Sequence, residues 1–331
     1  MSGPDETEQL DSLLLCTALG DARVEGYSIA AFSGGEPLLY QPLLDLLQEA
    51  KRCGLLTTVT TNGILLTPRR IEELKDYINL LAISVDGIPE SHNRLRASSR
   101  AFETMVVRLS LLRDARIPFG FIFTLTQFNL NELAWVAKFA VEEGAQLLQI
   151  HPLEEVGRAA EVLSGENPDE TERSFAFIEI HRLKAVWAGR LDIQLDLVHR
   201  DTLSSNPDTV FAHDINENEM SHMSLAAIVN PLVIEPDGTV VPLQYGLSRQ
   251  YALGNLHAAP LRALATAWRQ DGYHQFRAMC QRAFMQATTP TSLPIVNWYD
   301  ALGAKHGDYI AFHVAQHFDP ILYWLVVTPL S

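Results

Sequence analysis

The prediction of the fold starts from the stretch Ser33-Gly34-Gly35-Glu36-Pro37. It follows a short apolar run, residues 27–32, and precedes a helical pattern over residues 38–53. This order predicts a loop between a strand and a helix. Two adjacent glycines let the backbone approach a ligand closely and adopt positive φ angles. The glutamate adds a carboxylate, and the proline suits the first turn of a helix. Such a loop can bind a ligand with a cationic amine, although a generic strand-to-helix turn has the same pattern.

The same strand-to-helix order repeats along the next 150 residues. The strands are continuous apolar runs, which is typical of a parallel sheet covered by helices. The pattern predicts an α/β protein with a partial (β/α)6 TIM-like barrel. The predicted strands are 27–32, 55–60, 80–85, 118–126, 146–151 and 191–198, and the predicted helices are 6–20, 38–53, 68–77, 100–115, 131–144 and 172–188.

Polar residues follow four of these strands in succession. After the opening loop come Thr61-Asn62-Gly63, Ser84-Val85-Asp86-Gly87 and Thr124-Leu125-Thr126-Gln127. Turns and helix caps would explain one or two such loops. Four in succession favour a binding site at the C-terminal ends of the strands, where α/β proteins bind their ligands.

Composition limits the class of partner and the compartment. The 331 residues carry a net charge of −15, which argues against nucleic acid or an anionic membrane as main partner. The three cysteines are widely spaced, so neither a disulfide framework nor a local metal motif is predicted, and a cytoplasmic location is expected. The polar, acidic start is unlike a signal peptide, and no transmembrane segment is predicted.

Beyond residue 200 the sequence predicts a second domain, 201–331, after a first domain of 1–200. Residues 201–223 look like a long loop, and residues 228–241 predict a β-hairpin whose turn is Pro236-Asp237-Gly238. Helices near 260–270 and 272–287 complete a small α+β appendix. The apolar, aromatic-rich tail is expected to dock on the barrel or on a partner.

Together these motifs resemble the radical S-adenosylmethionine superfamily, and more narrowly its peptide-maturase-like branch. The resemblance runs over residues 2–290. It rests on the opening loop, on Thr60-Thr61-Asn62-Gly63, on Ile83-Ser84-Val85-Asp86-Gly87 and on His92-Asn93-Arg94-Leu95-Arg96, in that order. The hairpin over 236–242, followed by Gly254-Asn255-Leu256, resembles the auxiliary-cluster (SPASM or twitch) domain of that branch.

The resemblance implies an enzyme that binds S-adenosylmethionine beside a [4Fe-4S] cluster and generates a 5′-deoxyadenosyl radical. The substrate would be a peptide or a small molecule. By resemblance, the loop 33–37 holds the amino end of the cofactor, Asn62 and Ser84 face its ribose and carboxylate, Asp86 and Arg96 face substrate or the cofactor carboxylate, and Gln149 and Gly157 lie on the adenine side.

The sequence departs from this family at the cluster ligands. The family holds its cluster with a C-x3-C-x2-C loop after the first strand, because cluster iron needs thiolates. This chain has no such loop, and its first predicted strand resembles the family's second. Leu243 stands where the auxiliary-cluster domain would place a cysteine. Cys16 and Cys53 are expected to be packing residues, and no metal ligands are assigned.

Three interpretations remain open. The favoured one is that the sequence begins too late and that a preceding strand and cluster loop exist. The second is a cluster-less relative that acts as a non-catalytic binding or scaffold protein. A weaker third is a different barrel enzyme that uses Glu36 and Asp86 as acid and base.

Two further expectations concern the ends of the sequence. Without a first strand, the strand 27–32 would be an unpaired sheet edge, which predicts self-association of the chain. His313 and His317, four residues apart with Asp319 close by, have the spacing of a metal pair, but packing of a tail helix explains them as well.

Overall fold

The computed structural model describes residues 10–153, 163–212, 223–290, 294–303 and 323–328. Strands and helices alternate along most of these residues. In chain order they are α1 (Ser12–Val24), β1 (Ile29–Gly34), α2 (Leu43–Arg52), β2 (Leu56–Thr61), α3 (Pro68–Leu74), β3 (Leu80–Ser84), α4 (Pro89–Leu95), α5 (Ala101–Asp114), β4 (Phe119–Leu125), α6 (Leu133–Glu143), β5 (Leu147–Pro152), α7 (Glu170–Val186), β6 (Asp192–Leu195), β7 (Val198–His199), α8 (Arg200–Ser205), α9 (Leu225–Ile228), β8 (Leu232–Ile234), β9 (Thr239–Pro242), β10 (Gly254–Asn255), α10 (Leu261–Asp271), α11 (Tyr273–Thr288), β11 (Ile295–Val296), α12 (Trp298–Gly303) and β12 (Tyr323–Thr328).

The predicted α/β class is confirmed, and β1 to β6 coincide with the six predicted strands. Local signals explain several helix ends. The Thr67 hydroxyl accepts from the Arg70 N–H at the start of α3. Asp169 and Glu172 form a reciprocal capping box at the start of α7. Gly144 ends α6 in a left-handed conformation that glycine adopts without strain.

Three predicted segments differ from the structure. Residues 38–53 divide into a 3-10 turn, Pro37–Leu39, and the helix α2, because Pro42 interrupts the helix. The short helix α4 was not predicted, although Pro89 sits at its first turn. The predicted loop 201–223 begins as the helix α8, so this part of the prediction was wrong.

Two compact units make up the chain. The first comprises Met1–Thr58, Arg200–Pro290 and Trp298–Ser331, and the second comprises Val59–His199 and Thr291–Asn297. These units change at residue 200, but Met1–Thr58 belongs to the same unit as Arg200–Pro290. The functional division into 1–200 and 201–331 stays a prediction.

In the first unit, the strand β12 lies between β1 and β8. The strand order there is β10-β9-β8-β12-β1. All six residues of β12 pair antiparallel with β1, and three of them also pair with β8. One row across the sheet joins Phe32, Leu325 and Ile234, all buried. The tail strand is therefore an internal strand of this sheet.

This pairing corrects the expectation that β1 has an unpaired edge. The backbone groups of β1 that were expected to face solvent are hydrogen-bonded in the ladder with β12. Sequence patterns missed the pairing because it joins segments almost 300 residues apart. The structure removes the reason given for self-association, and it confirms that the described part of the tail docks on the protein's own sheet.

The predicted hairpin of the appendix is confirmed as β8 and β9. Val233 pairs with Val241, and Ile234 pairs with Val240. In the turn, Gly238 has a φ of 82°, and the Asp237 carboxylate accepts from the Thr239 N–H at 2.9 Å. The Pro-Asp-Gly signal thus predicted both the position and the chemistry of this turn.

In the second unit, β3, β4, β5 and β6 form a parallel sheet in that order. Side chains alternate between its faces. One face is apolar and buried, with Phe121, Phe123, Leu148 and Ile150 at most 1% exposed. The other face carries the half-exposed residues of the same strands, and Ser84 and Gln149 belong to it.

Several predicted residues lie outside the described part of the chain. They are Gly157, His313, His317 and Asp319. Among the described residues, no helix is long and apolar enough to cross a membrane.

The central position of β12 gives a prediction for stability. Leu325 is 3% exposed, whereas Val326, next to it, is only half-buried. Replacing Leu325→Ala should lower the free energy of unfolding by about 2–5 kcal/mol, as for other buried leucines. Val326→Ala, the matched control, should cost less than about 1 kcal/mol. Urea denaturation followed by circular dichroism measures both. Equal, small effects would show that β12 does not hold the sheet together.

Candidate functional site at the strand ends

The loop 33–37 lies at the end of β1, as predicted. Gly34 has a φ of 124°, a conformation that side chains other than glycine rarely adopt. The carboxylate of Glu36 is buried and accepts from the Leu38 N–H at 3.2 Å, so it caps the turn Pro37–Leu39. Glu36 thereby shapes the loop, while Gly34 has no Cβ that would stand in the way of a ligand.

A second polar loop follows β2. The Asn62 carboxamide oxygen accepts from the Ile64 N–H at 2.8 Å, and the Thr61 hydroxyl accepts from the Gly63 N–H at 3.1 Å. These local bonds tighten the turn. They engage the oxygen of Asn62 within the turn itself.

After β3, Asp86 and Arg96 form a buried ion pair. Arg96 donates from Nε to Oδ2 at 2.6 Å and from Nη2 to Oδ1 at 3.2 Å. His92 Nδ1 accepts from the Asp86 N–H at 3.2 Å. Burial alone would raise the pKa of Asp86, but Arg96 and His92 outweigh it and lower the pKa below its ordinary value. Asp86 is therefore a carboxylate at neutral pH.

This pairing bears on two sequence predictions. Asp86 and Arg96 were both expected to face substrate or cofactor, and the structure brings them together with each other. Their role in cofactor binding stays a prediction. The lowered pKa of Asp86 is the opposite of what a general acid needs, so the acid–base hypothesis with Glu36 loses support for Asp86 as the acid.

Sequence reasoning missed the residues that hold this loop. The Glu132 carboxylate accepts from the Ile88 N–H at 2.9 Å and from the Ser91 hydroxyl at 2.6 Å. Gly87 has a φ of 132°, which strains other residues, and a Cβ there would lie 1.9 Å from a Glu132 oxygen and displace it. Since Glu132 lies over 40 residues away in sequence, no local pattern could have identified it.

Asn129 ties the ends of β3 and β4 together. Its amide nitrogen donates to the Asp86 carbonyl at 3.1 Å and to the Thr124 carbonyl at 2.9 Å, and its oxygen accepts from the Thr126 N–H at 2.7 Å. All of its polar atoms are used while the side chain is fully buried. Asn129 is thus a structural residue of the site.

Gln149, on β5, lies opposite Gln194 on β6. The two carboxamides are hydrogen-bonded at 3.1 Å on the half-exposed face of the sheet. The row that continues through β4 and β3 contains Ile122 and Ser84. The structure therefore places Ser84 and Gln149 on one face, with an apolar side chain between them.

The cysteines of the described residues do not fit an iron–sulfur cluster. Burial and nearby carboxylates raise the pKa of the Cys16 and Cys53 thiols, and burial raises the pKa of Cys280 to about 12. Cluster iron needs several thiolates held close together. Within the ranges that the structure describes, no group of three metal-ligating side chains was found.

The similarity to known proteins covers the same strands and loops. The profile of the Radical SAM superfamily matches residues 17–140, which include the loop 33–37 and the motifs through Arg96. Residues 17–140 are therefore similar to the radical SAM superfamily. The relatives include peptide-modifying proteins, which supports the peptide-maturase-like branch.

Two relatives illustrate the similarity. The AdoMet-dependent heme synthase of Methanosarcina barkeri is 33% identical over 138 residues, 41% of this chain and 40% of that protein. The PqqA peptide cyclase of Ruegeria pomeroyi is 25% identical over 239 residues, 72% of this chain and 60% of that protein. In both cases the matched part is less than two thirds of the relative's own length.

Among solved structures, native anSMEcpe with bound AdoMet and the Kp18Cys peptide matches with a TM-score of 0.59. The match covers 89% of this chain and 87% of that one, at 16% identity. At this identity the similarity concerns the fold alone. It supports the predicted TIM-like α/β fold.

The Asp86–Arg96 pair gives a prediction with a defined pH dependence. Replacing Arg96→Gln leaves a buried carboxylate without its main counterion and should cost about 2–4 kcal/mol at pH 7, since Arg96 is 24% exposed. A lowered folded-state pKa stabilises the protein above about pH 4 and loses that effect as pH falls through the folded pKa. The difference from wild type should therefore shrink below about pH 4.

Urea titrations between pH 3 and 7 measure this effect. Arg100→Gln is the matched control, because the Arg100 side chain is 82% exposed and lies 3.8 Å from Glu103. It should change stability by less than about 0.5 kcal/mol at every pH. A pH-independent loss in Arg96→Gln would mean that packing, and not the charge of Asp86, accounts for the effect.

Proposed function

We propose that this protein binds S-adenosylmethionine through the loop 33–37 and the polar residues Asn62, Ser84, Gln149 and Gly157, and that it acts on a peptide. The observation that carries the proposal is the similarity of residues 17–140 to the radical SAM superfamily, with Gly34 in a left-handed conformation at the end of β1. A zwitterionic ligand needs exposed backbone groups and polar side chains, and these residue types supply them.

The reaction class depends on the cluster ligands. In the family, S-adenosylmethionine bound at a [4Fe-4S] cluster supplies the radical chemistry. The cysteines of the described residues do not fit that cluster, so no catalytic step is assigned to them. The part proposed for this chain is to bind and orient the cofactor and the substrate, and to keep water away from them.

A peptide substrate is proposed because of the relatives. The cyclase of Ruegeria pomeroyi is named for a peptide, and anSMEcpe is described with a bound peptide. The net charge of −15 continues to argue against nucleic acid. We also propose the reducing cytoplasm as the location, which suits the free thiols Cys16, Cys53 and Cys280.

A second candidate function is a non-catalytic binding protein for the same ligands. It is favoured by the described residues, among which no group of three His, Cys, Asp or Glu side chains could hold a metal ion. The two candidates share the cofactor-binding residues and differ only in the cluster. Iron content after reconstitution therefore distinguishes them.

The Gly34 conformation gives the binding test. In anaerobic calorimetry, wild-type protein should bind S-adenosylmethionine, and Gly34→Ala should weaken binding about tenfold or more. A Cβ at this φ costs about 1–3 kcal/mol, and 1.4 kcal/mol corresponds to tenfold. Gly189→Ala is the control, since Gly189 also has a positive φ, of 75°, with no atom within 4 Å of an added Cβ. No binding by correctly folded wild type would overturn the proposal.

Iron and sulfide analysis of the same samples tests the cluster. After anaerobic reconstitution we expect less than one equivalent of iron per chain, together with intact binding of S-adenosylmethionine. Circular dichroism provides the control for folding. Four equivalents of iron and four of sulfide would contradict the conclusion drawn from the cysteines and would favour the enzyme over the binding protein.

A further inference from the structure

The helix α7 carries large apolar side chains on its solvent side. Phe175, Ile178 and Val186 are 47%, 70% and 54% exposed. The other large apolar side chains that are exposed among the described residues are spread over different elements and loops. The inward side of α7 holds its buried residues, which are Ala176, Ile180 and Leu183. Exposed apolar side chains grouped on one element indicate a contact surface, whereas scattered ones need no explanation.

The exposed residues of α7 have the spacing of a seam between two helices. The seam consists of Thr171, Phe175, Ile178, Arg182 and Ala185, which are all exposed. They follow one another at intervals of four, three, four and three residues, which is the heptad spacing of packed helices. Such residues lie along one line of a helix, here opposite the buried residues, and this line is about 21 Å long. The solvent side of α7 therefore has the pattern of a surface for a second helix.

The charges along α7 are complementary to those of a second α7 in the opposite direction. The start of the helix carries one basic residue, Arg173, and three acidic ones, which are Asp169, Glu170 and Glu172. Its end carries basic residues, which are Arg182, Lys184 and, just beyond the helix, Arg190. Two antiparallel copies place the acidic start of each helix beside the basic end of the other, whereas parallel copies place like charges together. Antiparallel helix dipoles add to the same preference.

The side-chain sizes along the seam also match in the antiparallel arrangement. With a two-fold axis between Ile178 and Arg182, positions whose residue numbers add up to about 360 lie opposite each other. Phe175 then lies opposite Ala185 of the second copy, which sets a large side chain against a small one. Arg182 lies opposite Ile178 of the second copy. Its aliphatic stem can cover that apolar side chain while its guanidinium keeps the Glu179 carboxylate, to which it donates at 2.6 and 2.8 Å.

We propose that the solvent side of α7 is an interface with a second copy of this chain, in which two α7 helices pack antiparallel about a two-fold axis. The net charge of −15 opposes unspecific contact between copies, so a contact needs local charge complementarity, and α7 supplies it. One helix pair buries less than the ~800 Å² per partner of a standard interface, so the dimer is weak and depends on concentration. This interface is distinct from the sheet edge at β1, and it does not rest on the proposed function.

Sedimentation equilibrium of the whole chain, at about 5 to 500 μM, tests the interface. We expect a monomer–dimer equilibrium in wild type. Ile178→Asp should raise the dimer Kd about tenfold or more, because it places a charge in the apolar centre of the seam. Since Ile178 is 70% exposed in the single chain, this substitution should leave the circular dichroism spectrum unchanged. Wild type that stays monomeric at the highest concentration would overturn the proposal.

Val107→Asp is the matched control for this experiment. Val107 is 64% exposed and lies on another helix, α5, so the same change of chemistry occurs at a similar exposure outside the seam. This variant should keep the dimer Kd within about twofold of wild type. A dimer that forms equally well in Ile178→Asp would show that another surface holds the two copies together, and the proposal would then be wrong.

Cross-linking with a short bismaleimide tests the orientation of the two helices. In the antiparallel pair, position 171 lies opposite position 188 of the second copy, and the two copies of position 171 are about 27 Å apart along the axis. A mixture of Thr171→Cys and Ala188→Cys proteins should therefore be cross-linked, whereas Thr171→Cys alone should not be. Wild type, treated in the same way, controls for the native cysteines. The reverse result would indicate a parallel pair and would contradict the proposal.

Discussion

The first unit depends on the hydrogen bonds that β12 makes with β1 and β8. A buried strand with unpaired backbone groups is costly, and a sheet edge that remains exposed invites association with other chains. Here β12 pairs with β1 on one side and with β8 on the other. Its apolar residues lie in rows across the three strands, such as the row of Phe32, Leu325 and Ile234. The loop 33–37 follows directly from β1. Its position therefore rests on a pairing made by a segment from the other end of the sequence.

The second unit depends instead on buried polar groups that satisfy each other. Asp86 keeps its charge because Arg96 donates to both of its oxygens, and Asn129 uses all of its polar atoms to hold the neighbouring strand ends. Such networks are stable only when every member has its partner. A side chain at Gly87 would disturb this network, since its Cβ would displace the Glu132 carboxylate from its partners.

The sequence predicted the local features well and the distant pairings poorly. Apolar runs identified β1 to β6, and the turn residues identified the hairpin at Asp237. The pairing of β1 with β12, the contact of Glu132 with the loop at Gly87 and the contact of His151 with Asp196 all join residues far apart in sequence. No periodicity or cap signal encodes such contacts. Arg96 shows the same limit, because the resemblance implied a contact with substrate or cofactor, whereas its ion pair with Asp86 is visible only in the structure.

The thiols and the polar residues at the strand ends lie on different elements and suit different chemistry. Cys16 lies on α1, Cys53 at the end of α2 and Cys280 on α11, and their thiols are held in the protonated form by burial. The strand ends carry oxygen and nitrogen groups, which suit a polar, zwitterionic ligand and not a soft metal cluster. The residue types at the strand ends therefore support the proposal that a polar ligand binds there. Cluster chemistry requires several thiolates held close together, and the described residues contain no such group of ligands.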